Sequence, residues 1–80
     1  MVKNEEIKIE VVETIEKLLN LKEINHDSDL KNLGLDSMNT VNLILTLEEN
    51  FKIVLSDEDL SLSNFKNINE VIKLIIRKLN

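Results

Sequence analysis

One glycine, Gly34, is the only interruption of its kind in a chain of eighty residues that has no proline. Those two residues are the strongest punctuators of local structure. A chain nearly free of them is expected to be helical wherever its apolar residues recur at helical spacing. Three stretches meet that condition. Over Lys3 to Asn20, Ile7, Val11, Ile15 and Leu18 fall on one face, and Val12 and Leu19 widen it. Ile9 lies off this stripe and is expected to face solvent. A second helix is expected from Ser37 to Asn50, with Asp36 as its N-cap. Wound at about 100° per residue, it places Val41, Ile44, Leu45, Leu47 and Phe51 on one broad arc, with Leu43 and Met38 at the edges. A third begins near Asn67, where Asn67 and Glu70 have capping-box spacing. Ile68, Val71, Ile72, Ile75, Ile76 and Leu79 form its apolar face.

The connections are less regular. Residues 21–36 mix turn-formers (Asn25, Asp27, Ser28, Asp29, Asn32) with Leu21, Ile24, Leu30, Leu33 and Leu35. They read as a long loop pinned by its leucines. A loop of that length in a small domain is often functional. The connector "FKIVLSDEDLSLSNFKN" is expected to be extended at first, since one isolated strand has no partner, and to form a short helical turn within 57–66. The expected fold is all-α: one domain over residues 1–80, a small bundle of three main helices plus a short one, with the long loop between the first and second.

A chain of this size buries a modest core, and the absence of cysteine removes disulfides and thiolate metal sites. Aliphatic packing must carry the fold, with Phe51 and Phe65 as the only aromatics. The net charge of -5 argues against nucleic acid and against an anionic membrane surface. The charged N-terminal stretch has no apolar signal core, and no run approaches the roughly 20 apolar residues that span a bilayer. A soluble cytoplasmic protein is the expectation, with a monomer as the default.

Catalytic readings find little support. His26 is the only histidine, and it lies in a polar loop without a G-x-S-x-G elbow elsewhere. Asp27 and Asp29 alternate as in a calcium loop, but Lys31 and Asn32 stand where the next oxygen ligand and the glycine belong. One glycine excludes the phosphate-cradling loops. No enzymatic activity and no metal are expected.

The stretch "LGLDSMNTVNLILTLEENF", residues 33–51, remains. Asp36-Ser37 ahead of an amphipathic helix is, taken alone, an ordinary helix start. The same dipeptide at Asp27-Ser28 precedes no such helix. The longer segment "DLKNLGLDSMNTVNLILTLEENF" resembles the signature region of the acyl carrier and peptidyl carrier proteins: a leucine-flanked loop, Gly-Leu-Asp-Ser, an apolar residue, then a helix ending in acids and an aromatic. The helix lengths, the long first loop and "NFKNINEVIKLI" extend the resemblance over most of the chain.

The resemblance implies that Ser37 is esterified with 4′-phosphopantetheine from coenzyme A, whose thiol holds cargo as a thioester. The missing cysteine is then no obstacle, because the working thiol arrives with the cofactor. Gly34, Leu35 and Asp36 are the expected surroundings of the attachment site. Gly34 would supply either a special backbone conformation or a close approach, Leu35 an anchor, and Asp36 the cap. Met38 and Val41, with Glu48 and Glu49, are the expected partner contacts. Met38 is equally open to a core role, and the apolar arc either packs as plain core or shelters an acyl chain.

The implied partners are a phosphopantetheinyl transferase, a cargo-loading enzyme (an adenylation enzyme or an acyltransferase), and downstream condensing or transferring enzymes. Asn39, Asn42 and Asn50 stand where fatty-acid carriers commonly have acids, and Phe65 resembles the aromatic of specialised carriers. The expectation is therefore a stand-alone carrier of acyl, aminoacyl or peptidyl groups for a specialised thiotemplate pathway of polyketide or nonribosomal-peptide type. A fatty-acid-synthase-type acyl carrier protein is the first alternative. An unmodified helical interaction module is the second.

Overall fold

The computed structural model describes residues 3–80. Helix α1 runs Asn4–Leu19 and buries Ile7, Val11 and Ile15, the stripe expected from spacing. Val12, Leu18 and Leu19 are half-buried beside it, and Ile9 is exposed. Asn20 ends the helix in the left-handed region, with the Leu21 N–H bonded back to the Glu16 carbonyl at 3.0 Å. That backward bond satisfies a carbonyl the helix leaves open.

Helix α2 spans Ser37–Phe51 and α3 spans Ile68–Leu79. Both start on a side-chain cap. Asp36 accepts from Asn39 N at 2.8 Å, and Asn67 accepts from Glu70 N at 2.9 Å. Only half of the expected capping box forms at α3, because the Glu70 carboxylate turns to Lys73 at 3.4 Å. Two 3₁₀ helices complete the fold, Leu30–Leu33 in the first loop and Leu62–Phe65 before α3. The second falls within the segment where a short helical turn is expected. The first replaces part of what reads as loop. The connector from Ile53 to Ser56 has no regular secondary structure, and no strand occurs among the described residues.

The core is one cluster in which α1 packs against both α2 and α3, and α3 also meets the second 3₁₀ helix. α3 buries Ile68, Val71, Ile72, Leu74 and Ile75, each contributing about 1.5–3 kcal/mol of burial free energy. Leu74 lies off the expected face. It is buried because α3 packs against α1 on one side and the second 3₁₀ helix on the other. α2 departs further from expectation: its buried residues are Leu43 and Leu47, while Val41 and Leu45 are exposed. Among the described residues no helix is long and apolar enough to cross a membrane.

The loop is held at several points. Ile24, Leu30 and Leu35 are buried, whereas Leu21 is exposed and does not pin it. The Leu30 N–H donates to the Lys66 carbonyl at 2.8 Å, and the Asn69 N–H donates to the His26 carbonyl at 3.3 Å. Asp27 accepts from the Asn69 side chain at 2.6 Å. The loop is therefore bonded to the start of α3 before it delivers the chain into α2.

Candidate functional site

Gly34 closes the first 3₁₀ helix with φ 111° and ψ 4°. This φ lies beyond the left-handed values near 57° that Asn20 and Lys52 adopt, and an L side chain is strained there. A Cβ built on Gly34 would meet nothing within 4 Å. Of the two roles open to this glycine, backbone conformation is the operative one. The turn it makes bonds Leu35 N back to the Leu30 carbonyl at 2.9 Å and buries Leu35 under the loop.

Asp36 follows in an extended conformation and organises the first turn of α2. Its carboxylate takes the Asn39 N–H, and its carbonyl takes both the Thr40 N–H at 2.9 Å and the Thr40 hydroxyl at 2.7 Å. The Asn39 side chain reaches back to the Gly34 carbonyl at 3.3 Å and ties loop to helix. Ser37 is the first residue of α2 and is exposed. The N–H groups of Ser37 and Met38 have no intrahelical acceptor, so the first turn presents open donors and the positive end of the helix dipole beside the serine hydroxyl.

A groove of about 600 Å³ opens against this turn. Leu35, Leu62 and Phe65 give it an apolar side, Ser37 sits on its lining, and Lys31 and Lys66 stand on it as well. Leu62, on the second 3₁₀ helix, is 87% exposed. Sequence reasoning missed the groove because its two walls come from segments about 30 residues apart, each too short for a periodic pattern.

The expected partner contacts fall in different settings. Met38 is 75% exposed, which removes it from the core. With Val41 and Leu45 it forms an exposed apolar stripe along α2, at i, i+3 and i+7. Glu49 is exposed. Glu48 is half-buried and accepts from Leu55 N at 2.8 Å, anchoring the connector to the end of α2. Asn50 donates to Glu10 at 3.1 Å across α1 and α2. Phe65 is buried in the core. Ser28, which shares the Asp-Ser dipeptide, is half-buried in the loop with only the four-residue 3₁₀ helix behind it. His26 is exposed, and no three His, Cys, Asp or Glu residues converge on a possible metal position among the described residues.

Comparison with known proteins points the same way. The model of the family described as phosphopantetheine attachment site matches residues 9–75. An acyl carrier protein of Cyanidium caldarium is 36% identical over 100% of this chain and 94% of its own length. An acyl carrier protein homolog of Mycoplasmopsis pulmonis is 36% identical over 90% of this chain and 94% of its own. An acyl carrier protein of Phytoplasma mali is 45% identical over 65% of this chain, and the match spans 61% of that relative. The crystal structure of an acyl carrier protein from Thermotoga maritima superposes with a TM-score of 0.74, covering 95% of this chain and 89% of that one at 23% identity, a likeness of fold. The chain belongs to the phosphopantetheine attachment family, the acyl and peptidyl carrier proteins, whose cofactor is a covalently attached 4′-phosphopantetheine.

Proposed function

We propose that this chain is an acyl carrier protein of the fatty-acid type and that Ser37 Oγ is its attachment atom. The observation that carries the proposal is the exposed Ser37 hydroxyl at the first position of α2, inside the segment matched by the attachment-site family. The local chemistry fits the cofactor. A phosphodiester on Ser37 would lie at a helix N-terminus whose open N–H groups and dipole favour an anion, an effect of about 0.3–1 kcal/mol at an exposed position. Asp36 and Asn39 hold the turn that presents the hydroxyl, and Gly34 supplies the backbone geometry that turn needs. When attached, the cofactor supplies a terminal thiol that carries an acyl group as a thioester. The chain's own part is to present, orient and release, with no catalysis of its own.

Met38, Val41 and Leu45 offer the face on which a phosphopantetheinyl transferase, an acyltransferase and condensing enzymes would dock, in the cytoplasm. The fatty-acid reading replaces the specialised thiotemplate one because the named relatives that span nearly the whole chain are acyl carrier proteins. The residues that favour specialisation also have structural work in this fold: Asn39 and Asn50 make loop and interhelix bonds, and Phe65 packs in the core.

Intact mass after incubation with coenzyme A and a broad-specificity phosphopantetheinyl transferase tests the attachment. A gain of one phosphopantetheine that Ser37→Ala abolishes is the expected result. No gain on folded protein would return the chain to the unmodified-module reading, and a gain that survives Ser37→Ala would move the arm to Ser28. Loading of the holo-protein by a malonyl transferase, but not by adenylation enzymes, is expected of the fatty-acid type, and the reverse would overturn it.

A further inference from the structure

We infer that the Met38 thioether is an oxidation switch on the docking face of α2: a peroxide converts it to the sulfoxide, and the polar sulfoxide hinders the enzymes that grip the helix beside Ser37. The inference rests on the attachment and docking reading above and goes beyond it. It makes access to Ser37 depend on the oxidation state of a side chain that forms no bond to the arm.

Three observations carry it. Met38 is 75% exposed, so its sulfur is open to a dissolved oxidant without any unfolding. The chain has no cysteine, and its other methionine, Met1, lies outside the described residues, so Met38 carries the only sulfur among the described residues. Its position then makes oxidation matter. Met38 directly follows Ser37 in the first turn of α2 and leads the apolar stripe that Val41 and Leu45 continue. Those two are aliphatic and inert to peroxide. A leucine at 38 would serve the apolar role as they do. What methionine adds is a polarizable thioether. The step balances with hydrogen peroxide as the oxidant. A sulfur lone pair attacks one peroxide oxygen, an S–O bond forms and the O–O bond breaks. The thioether gives up two electrons, and the proton on the transferred oxygen passes to the departing hydroxide, which leaves as water. The product is polar and chiral where the thioether was apolar and flexible, and sulfoxide reductases reverse the change. A sulfoxide pressed unpaired into an apolar enzyme surface carries its desolvation cost. No buried core residue is a methionine, so the chain stays folded and the change is confined to the docking face.

The test starts from the full chain before attachment, so that no cofactor thiol competes for the oxidant. The native chain and Met38→Leu are treated with hydrogen peroxide, cleared of it with catalase, and mapped by peptide mass. The rate of phosphopantetheine transfer from coenzyme A by a phosphopantetheinyl transferase is read for each chain with and without treatment. The ratio within each chain is the readout, so any effect of the leucine itself cancels. One oxygen at residue 38 is expected in the treated native chain, with transfer slowed about tenfold and restored by the two epimer-specific methionine sulfoxide reductases. Treatment should leave the rate of Met38→Leu unchanged, and the urea midpoint of the oxidised native chain should equal that of the untreated one. No oxygen at residue 38, an oxidised Met38 without slower transfer, or equal slowing in Met38→Leu would overturn the proposal and leave attachment intact. A lowered urea midpoint would overturn it too, making the effect damage to the fold. No transfer to the untreated chain would remove the attachment reading first, and this proposal with it.

Discussion

Helices α2 and α3 are similar in length and are each capped by one side-chain oxygen, yet they dispose of their apolar residues in opposite ways. α3 drives Ile68, Val71, Ile72, Leu74 and Ile75 into the core and keeps Lys73, Arg77 and Lys78 outside. α2 buries Leu43 and Leu47 and leaves Met38, Val41 and Leu45 in solvent. One helix holds the molecule together. The other is held by it and shows an apolar stripe next to Ser37. In a domain this small, with no cysteine to form a disulfide, exposing such a stripe forgoes stabilisation that the core could have used. The difference is what a protein that must be gripped by others, and still stay folded alone, would show.

Core truncation is the strongest way to break the comparison. Ile75→Ala and Leu47→Ala are each expected to cost about 2–5 kcal/mol in urea unfolding. Val41→Ser and Leu45→Ser should stay within about 0.5 kcal/mol. Equal losses at the four positions would erase the distinction. Next comes Gly34→Ala, expected to cost about 1–3 kcal/mol because φ 111° is strained for any side chain. The loss should appear without any change in the packing of α3. The caps follow. Asp36→Ala and Asn67→Ala should each lose about 1 kcal/mol, but only Asp36→Ala should also slow modification of Ser37, since only that cap organises the serine's turn.

The smallest effect concerns the end of α3. Lys78 reaches Asp59 at 2.8 Å, and that bond, with the Ser56 N–H, holds the Asp59 carboxyl down at about 2 against an ordinary 3.8. A depressed carboxyl pKa contributes stability that is fully present above the unfolded value near 3.8 and is lost as pH falls through about 2. Acid unfolding of Asp59→Asn should therefore be flatter between about pH 3.8 and 2 than that of the native chain. An unchanged acid limb would show that the pair contributes nothing.

The same contrast explains what the sequence allowed one to read. α1 and α3 alternate apolar and charged residues at helical spacing, and their inward faces follow from it. In α2, Leu43, Ile44, Leu45 and Leu47 are nearly continuous, so spacing cannot choose which arc turns inward. The expected arc included Val41, Leu45 and Leu47; the fold buries Leu47, takes Leu43 from the arc's edge and leaves Val41 and Leu45 exposed. That selection comes from α1, against which α2 packs and whose position a local pattern does not encode. Ser37, Asp36 and Gly34 were legible as a turn entering a helix. The 3₁₀ helix at Leu30–Leu33 was not, because four residues make no period. The groove was not legible either, being made by two short segments that meet only in the folded chain.

The bond between Leu30 N and the Lys66 carbonyl has a consequence for how the site comes into being. It joins the two ends of the segment that contains α2, so that segment is a closed circuit latched outside the serine rather than at it. Closing such a circuit costs chain entropy. The loop ahead of Ser37 is therefore held by the segment that enters α3 as well as by its own turns. Amide hydrogen exchange makes this visible: the Leu30 N–H lies in what a sequence reads as loop, yet it should exchange at the pace of the helical core rather than of the chain around it.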